Sequence, residues 1–152
     1  MAERARWFVG IDWGSAEHQL CVLAPDGTVM GTRVVSHTTT AVHEALHWLE
    51  QLTGTTPEAL AVGLETPRGV LVDTLIEWGC AVWAINPKQL DRFRDRFTAA
   101  GAKDDRRDAH AVADALRTDA RAFQRVRPDD PLIIQLRELT RLLDDLQEDE
   151  GA

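Results

Sequence analysis

A change in how successive strands are connected constrains the fold of this chain more than any other feature. Strand patterns occur five times, over 6–13, 17–24, 28–36, 60–66 and 81–86. The first three are joined by short links, including the turn sequence Pro25-Asp26-Gly27, whereas helical patterns separate the later ones. Hairpins make antiparallel neighbours and helical crossovers make parallel ones. The sequence therefore predicts a mixed five-stranded sheet.

Helical patterns fill the intervals after the third strand. They run from Thr38 to Gly54, over about 69–78, over about 88–97 and over about 103–118. The resulting order, three strands and then alternating helices and strands, predicts an α/β fold with helices flanking a mixed sheet. This order is typical of the ribonuclease-H-like arrangement, in which the first strand is central.

Four carboxylates occupy positions that a simple core would avoid. Asp12 ends the first predicted strand, Glu65 ends the fourth, and Asp105 and Asp108 lie three apart on the last helix. Carboxylates on buried strands are costly unless a cation pairs with them, and Mg²⁺ binds oxygen ligands. Because ligands collect at the strand ends of open sheets, we predict a Mg²⁺ or Mn²⁺ site there. Spacing alone leaves Asp104 with Asp108 as an equally good helical pair.

The charge distribution indicates where a polyanion would bind. The chain carries a net charge of −8, yet residues 88–127 contain 11 basic and 7 acidic residues. A basic segment next to clustered carboxylates is where a nucleic-acid backbone needs counter-charge. The candidate backbone contacts are Lys88, Arg92, Arg96, Lys103, Arg106 and Arg107.

The C-terminal segment has a different pattern from the rest. Leucines at 132, 136, 139, 143 and 146 are spaced 4, 3, 4 and 3 apart, as on the seam of a coiled coil. We therefore expect a domain over 1–127 and the start of a coiled-coil or linker helix over 128–152. This helix would join copies of the chain into a homo-oligomer, and we expect the natural protein to continue beyond Ala152.

Other features bound the cellular setting. No stretch approaches 18 apolar residues, and the first strand begins too early to leave room for a signal peptide. Cys21 and Cys80 lack metal-binding spacing, so we expect buried free thiols in a reducing cytoplasm. His18, at the start of the second strand, is expected to be an ordinary exposed histidine.

These motifs together resemble a known family, over about residues 7–145. Gly10-Ile11-Asp12, Leu64-Glu65-Thr66, Ile85-Asn86-Pro87 and the segment 103–109 are similar to the DEDD transposases of bacterial insertion-sequence family 110. The resemblance implies a RuvC-like nuclease domain, a coiled coil, and a further domain with a nucleophilic serine. It also implies DNA as substrate and a structured guide RNA as partner. By this resemblance Asp105, rather than Asp104, joins Asp12, Glu65 and Asp108.

Two alternatives stand beside metal-dependent DNA cleavage. The first is an actin-like or sugar-kinase ATPase lobe, because residues 9–15 also resemble the first phosphate loop of that superfamily. No second Asp-x-Gly loop follows Glu65, which weakens it. The second is a non-catalytic relative that binds RNA or a partner transposase through the leucine seam.

Overall fold

The computed structural model describes residues 6–12, 14, 16–65, 70–94, 105–126, 138–139 and 141–147, without the side chains of 70, 71, 94 and 105–107. Six strands form one sheet: β1 Trp7–Asp12, β2 Glu17–Leu23, β3 Val29–Ser36, β4 Leu60–Leu64, β5 Ala81–Ile85 and β6 Phe123–Val126. Four α-helices accompany it: α1 Thr39–Thr53, α2 Val70–Trp78, α3 Pro87–Arg94 and α4 Asp105–Thr118. Single turns of 3₁₀ helix cover Pro57–Ala59 and Ala120–Ala122.

The strand order is β3-β2-β1-β4-β5-β6, with β1 inside the sheet as expected. β1 pairs antiparallel with β2 and parallel with β4, and β4 pairs parallel with β5. The predicted mixed α/β sheet with flanking helices is therefore confirmed. The number of strands was wrong, because β6 adds a sixth strand antiparallel to β5.

Local sequence explains why the elements start and stop where they do. The hydroxyl of Thr38 accepts a hydrogen bond from the Ala41 N–H at 3.1 Å and caps α1, which Gly54 ends in a left-handed conformation at φ 65°. In the β2–β3 hairpin, the Asp26 carboxylate accepts from the Thr28 N–H at 2.9 Å. Gly27 takes a φ of 94° there, a conformation that a side chain would strain.

The two faces of the sheet bury different helices. α1 and α2 cover one face, where Val9, Ile11, Leu20 and Val62 belong to the larger apolar core. α3 and α4 cover the other face, which we call the α4 face. Cys21 lies on that face against Ala109 and Ala113. Both cysteines are buried free thiols, as predicted, and burial raises the pKa of Cys21 to about 11 and that of Cys80 to about 12.

The C-terminal leucine helix is described only in part. Leu132 and Leu136 lie outside the described residues, whereas Leu139, Leu143 and Leu146 are all more than half exposed. Arg141 lies between them in sequence and forms a 2.7 Å ion pair with Glu77 of α2. A coiled coil at this helix stays a prediction. Within the described ranges, no helix is both long and apolar enough to cross a membrane.

Candidate functional site at the β1–β4 strand ends

Parallel pairing brings the first two predicted site residues together. The β1–β4 register ends at Ile11 opposite Leu64, and Asp12 and Glu65 are the next residues on their chains. Both side chains are half-buried. Two carboxylates thus lie at the same end of the sheet, on neighbouring strands, although 53 positions separate them in sequence.

The alternation of side chains along β1 and β4 shows which face of the sheet Asp12 and Glu65 occupy. Side chains two apart point to the same side of a sheet. Gly10, two before Asp12, faces Ala109 and Ala113 of α4 so closely that an added Cβ would lie 2.5 Å from the Ala113 nitrogen. Gly63, two before Glu65, faces Val112 and Leu116 of the same helix. Asp12 and Glu65 therefore lie on the α4 face.

The direction of α4 follows from its contacts. Ala109 and Ala113 lie over Gly10, whereas Arg117 lies against the hairpin turn, 2.9 Å from a Cβ built on Gly27. That turn follows β2, whose last residues pair with the first residues of β1. The helix therefore runs antiparallel to β1, and its first turn lies at the Asp12 end.

This orientation brings a third carboxylate to the same end of the sheet. Asp108, half-buried, immediately precedes Ala109 on α4. Asp105 is the first residue of the helix, and its side chain is outside the described part of the chain. Carboxylate oxygens are the donors that Mg²⁺ and Mn²⁺ accept, so these residues fit such an ion in type. Among the described residues, no three His, Cys, Asp or Glu side chains are close enough to hold a metal ion.

The structure describes only some of the basic residues that were predicted to contact a nucleic-acid backbone. Lys88 and Arg92 are exposed on α3, which begins directly after Asn86 at the same end of the sheet. The Asn86 side chain accepts from the Lys88 N–H at 2.8 Å and thereby caps α3. Arg106 and Arg107 lie in the first turn of α4, without described side chains, and Arg96 and Lys103 lie outside the described residues. The structure thus places Lys88 at the same end of the sheet as Asp12 and Glu65, and all six backbone contacts stay predictions.

His18 is not exposed, contrary to the sequence expectation. Only 1% of its surface is accessible, because it lies on the α1–α2 face beside His37, which precedes α1. Its Nδ1 accepts from the Gly14 N–H at 3.3 Å, and its Nε2 lies 3.0 Å from Nδ1 of His37. Because Nδ1 accepts the hydrogen bond from Gly14, it carries no proton. The proton of the neutral ring is therefore on Nε2, which donates to His37. His18 therefore holds Gly14, two residues after Asp12.

Burial of this imidazole predicts acid sensitivity. Desolvation, with a smaller contribution from the charge of His37, lowers the pKa of His18 from 6.5 to about 4. Between these pH values His18 is protonated in the unfolded chain but not in the folded one. The contribution of neutral His18 to the free energy of unfolding is therefore full above pH 6.5 and is lost as the pH falls toward 4. We expect a loss of about 3 kcal/mol in the free energy of unfolding.

Urea titrations at several pH values would measure this loss. His18→Gln should show a shallower decline than the wild type, whereas His43→Gln, at an exposed position of α1, should decline as the wild type does. An unchanged decline in His18→Gln would show that another group carries the acid sensitivity.

Sequence reasoning missed Gln19. It pairs with Asp12 across β1 and β2 and is only 9% exposed. The sequence carries no clear signal for it, because Gln19 follows two other polar residues, Glu17 and His18, at the start of the predicted strand. Its position opposite Asp12 could be recognised only once the strand register was known.

Comparisons with known proteins agree with this architecture. A family model described as Transposase, for the DEDD group of IS110, matches residues 9–150. "Putative transposase y4uE" of Sinorhizobium fredii is 46% identical over 147 residues, which are 96% of this chain and 41% of that protein. "Mini-circle putative transposase for IS117" of Streptomyces coelicolor is 30% identical over 138 residues, which are 91% of this chain and 33% of that protein. The chain thus spans about two fifths or less of the length of these relatives.

A solved structure shows the same fold. T. thermophilus RuvC, in complex with a Holliday junction substrate, superimposes with a TM-score of 0.55 at 17% sequence identity. The match covers 80% of this chain and 99% of that one. The predicted RuvC-like fold is confirmed, and the likeness at this level of identity concerns the fold alone.

Proposed function

Because the chain belongs to the IS110 family of DEDD transposases, we propose that it is a RuvC-like nuclease domain that cleaves and recombines DNA strands with divalent metal ions. One observation carries the proposal. Asp12, Glu65 and the first turn of α4, three separate parts of the sequence, lie at one end of the sheet on one face. In a purely structural domain, grouped carboxylates at that position would only be unfavourable, since they repel one another.

Within this proposal each residue has a stated task. Asp12, Glu65, Asp105 and Asp108 hold Mg²⁺ or Mn²⁺ through carboxylate oxygens. A bound pair of such ions supplies activation of a nucleophile and stabilisation of the leaving oxygen at a phosphodiester. Lys88 and Arg92 of α3 bind backbone phosphates beside the site, as do Arg96, Lys103, Arg106 and Arg107.

The wider assembly also belongs to the proposal. DNA is the substrate, a structured RNA guides the whole transposase to its target, and copies associate through the leucine helix. The reaction takes place in the cytoplasm, where buried reduced thiols such as Cys21 are stable. The nucleophilic serine of the family would lie outside these 152 residues. The family match favours this hypothesis over an actin-like or sugar-kinase ATPase.

The exposed leucines favour a second candidate function. Leu139, Leu142, Leu143 and Leu146 are each 51–56% exposed, which suits a helix that binds a partner. A non-catalytic relative would use this face to bind RNA or another transposase. Sedimentation showing a strict monomer, together with no RNA affinity, would exclude it.

Metal titration tests the leading proposal. Calorimetry with Mn²⁺ should show binding by the wild type and a Kd at least about tenfold higher for Asp12→Asn, because one oxygen ligand loses its charge. Glu44→Gln removes one charge on exposed α1, on the opposite face, and should bind as the wild type does. Equal Mn²⁺ affinity of the wild type and Asp12→Asn would contradict the metal site.

A further inference from the structure

Gln19 lies beside the candidate carboxylate site without belonging to it. Residues opposite each other on paired antiparallel strands point to the same face, about 5 Å apart at Cβ. Asp12 is opposite Gln19, just as Gly10 is opposite Cys21. Since Cys21 packs against Ala109 and Ala113, Gln19 lies on the α4 face, at the end of the sheet where α4 begins.

The environment of Gln19 is unusual for an amide. It is 91% buried, yet its side chain makes no hydrogen bond or ion pair with any residue the structure describes. Its amide atoms are not among the fully enclosed unpartnered atoms, so they keep a small accessible surface. Buried polar groups are normally paired, because removing them from water without a partner costs free energy. Because the amide atoms still reach the surface, a bound ligand can take the place of water as their hydrogen-bond partner.

Charge and position identify the class of that partner. Asp12 and Glu65 lie on β1 and β4, whereas Gln19 lies on β2, on the far side of Asp12 from Glu65. A phosphodiester bound over these carboxylates needs hydrogen-bond donors that do not compete with them for metal. A neutral amide N–H is such a donor.

We propose that Gln19 is a substrate-binding residue whose amide N–H donates a hydrogen bond to a non-bridging phosphate oxygen of DNA held at the Asp12–Glu65 end of the sheet. This assignment rests on the proposed nuclease function. It explains why a polar residue occupies a buried strand position where Leu or Val would otherwise stabilise the fold, since binding sites give up stability for function.

Three variants of the 152-residue chain test the assignment. Gln19→Leu removes the donor at similar volume, and Gln19→Glu keeps the shape but replaces the donor with a carboxylate. Gln124→Leu is the matched control, because Gln124 is exposed on β6, at the far edge of the sheet. A fluorescein-labelled four-way DNA junction serves as the probe, titrated by anisotropy in Ca²⁺, a hard cation with the same preference for oxygen.

We expect Gln19→Leu and Gln19→Glu to raise the Kd for the junction at least about tenfold, which corresponds to 1.4 kcal/mol. Gln124→Leu should bind as the wild type does. The Mn²⁺ affinity of Gln19→Leu should be unchanged, and its melting temperature should equal or exceed that of the wild type. A residue with a purely structural role would instead lower the melting temperature.

Several results would overturn the assignment. Wild-type junction affinity in both Gln19 variants would show that the amide touches no phosphate. A parallel loss of Mn²⁺ affinity in Gln19→Leu would make the amide oxygen a metal ligand instead. If the wild type itself binds neither Mn²⁺ nor the junction, the proposed function fails, and this assignment fails with it.

Discussion

Gly10→Ala is expected to destabilise the fold by about 3 kcal/mol or more, the upper range for overpacked cores. The new Cβ would overlap the carbonyl oxygen of Ala109 and lie 2.5 Å from the nitrogen of Ala113. Both are backbone atoms of α4, which cannot rotate away as a side chain would. The helix would have to move off the sheet, and the first turn of α4 would move away from Asp12.

Gly63 is the matched control, because it is the register partner of Gly10 on β4. The three atoms nearest to a Cβ there belong to the side chains of Val112, Phe123 and Leu116, at 3.1–3.3 Å, and these can adjust. We therefore expect Gly63→Ala to cost about 1 kcal/mol or less. Urea unfolding of both variants measures the difference. Similar stabilities for Gly10→Ala and Gly63→Ala would mean that α4 is not held against β1 as closely as the structure shows.

Under the proposed nuclease function, Asp105→Asn is expected to reduce metal-dependent DNA cleavage about 10³-fold or more, whereas Asp104→Asn should retain most of it. Metal ions contribute several kcal/mol to such reactions, and each 1.36 kcal/mol is a factor of ten in rate. The reason for the contrast is helical periodicity. Position 105 is the first residue of α4 and lies four residues before Ala109, so it falls on the row of the helix that faces the sheet, whereas Asp104 lies outside the described helix.

Nicking of a supercoiled plasmid in Mn²⁺ is the appropriate assay, with Asp114→Asn as a further control on the same helix. Asp114 is engaged by Arg117 at 2.8 Å, at the end of α4 remote from Asp12. The reverse result, with Asp104→Asn inactive and Asp105→Asn active, would assign the metal site to the other helical pair. Equal activity of both variants would show that the start of α4 contributes no ligand to the metal site.

The sheet could be predicted largely because its signals are local. Strand alternation, the Asp26-Gly27 turn and the caps of α1 act over a few residues, so they are visible in sequence. The strand β6 was missed because Phe123–Val126 has only four residues, two of them polar. It exists through pairing with β5, where Arg125 lies 5.5 Å from the ring of Trp83. No local pattern contains that interaction.

The features of the candidate site also differ in how far they could be predicted from the sequence. The placement of Asp12 and Glu65 on adjacent strands was predictable, because helical crossovers make parallel neighbours whose carboxyl ends meet. The burial of His18 was not, because it depends on Gly14 and on His37, 19 residues away, folding onto one imidazole.

The amino-acid sequence by itself determined the order of the elements as far as α4, the family and three separate groups of carboxylates. Only the tertiary structure decided that α4 runs antiparallel to β1, that Gly10 lets the two approach, and that Gln19 lies beside Asp12 without a partner among the described residues. The physical reason is range. Propensities and caps are set within one or two turns of chain, whereas packing between residues 10 and 109 exists only after the sheet and its helices have assembled.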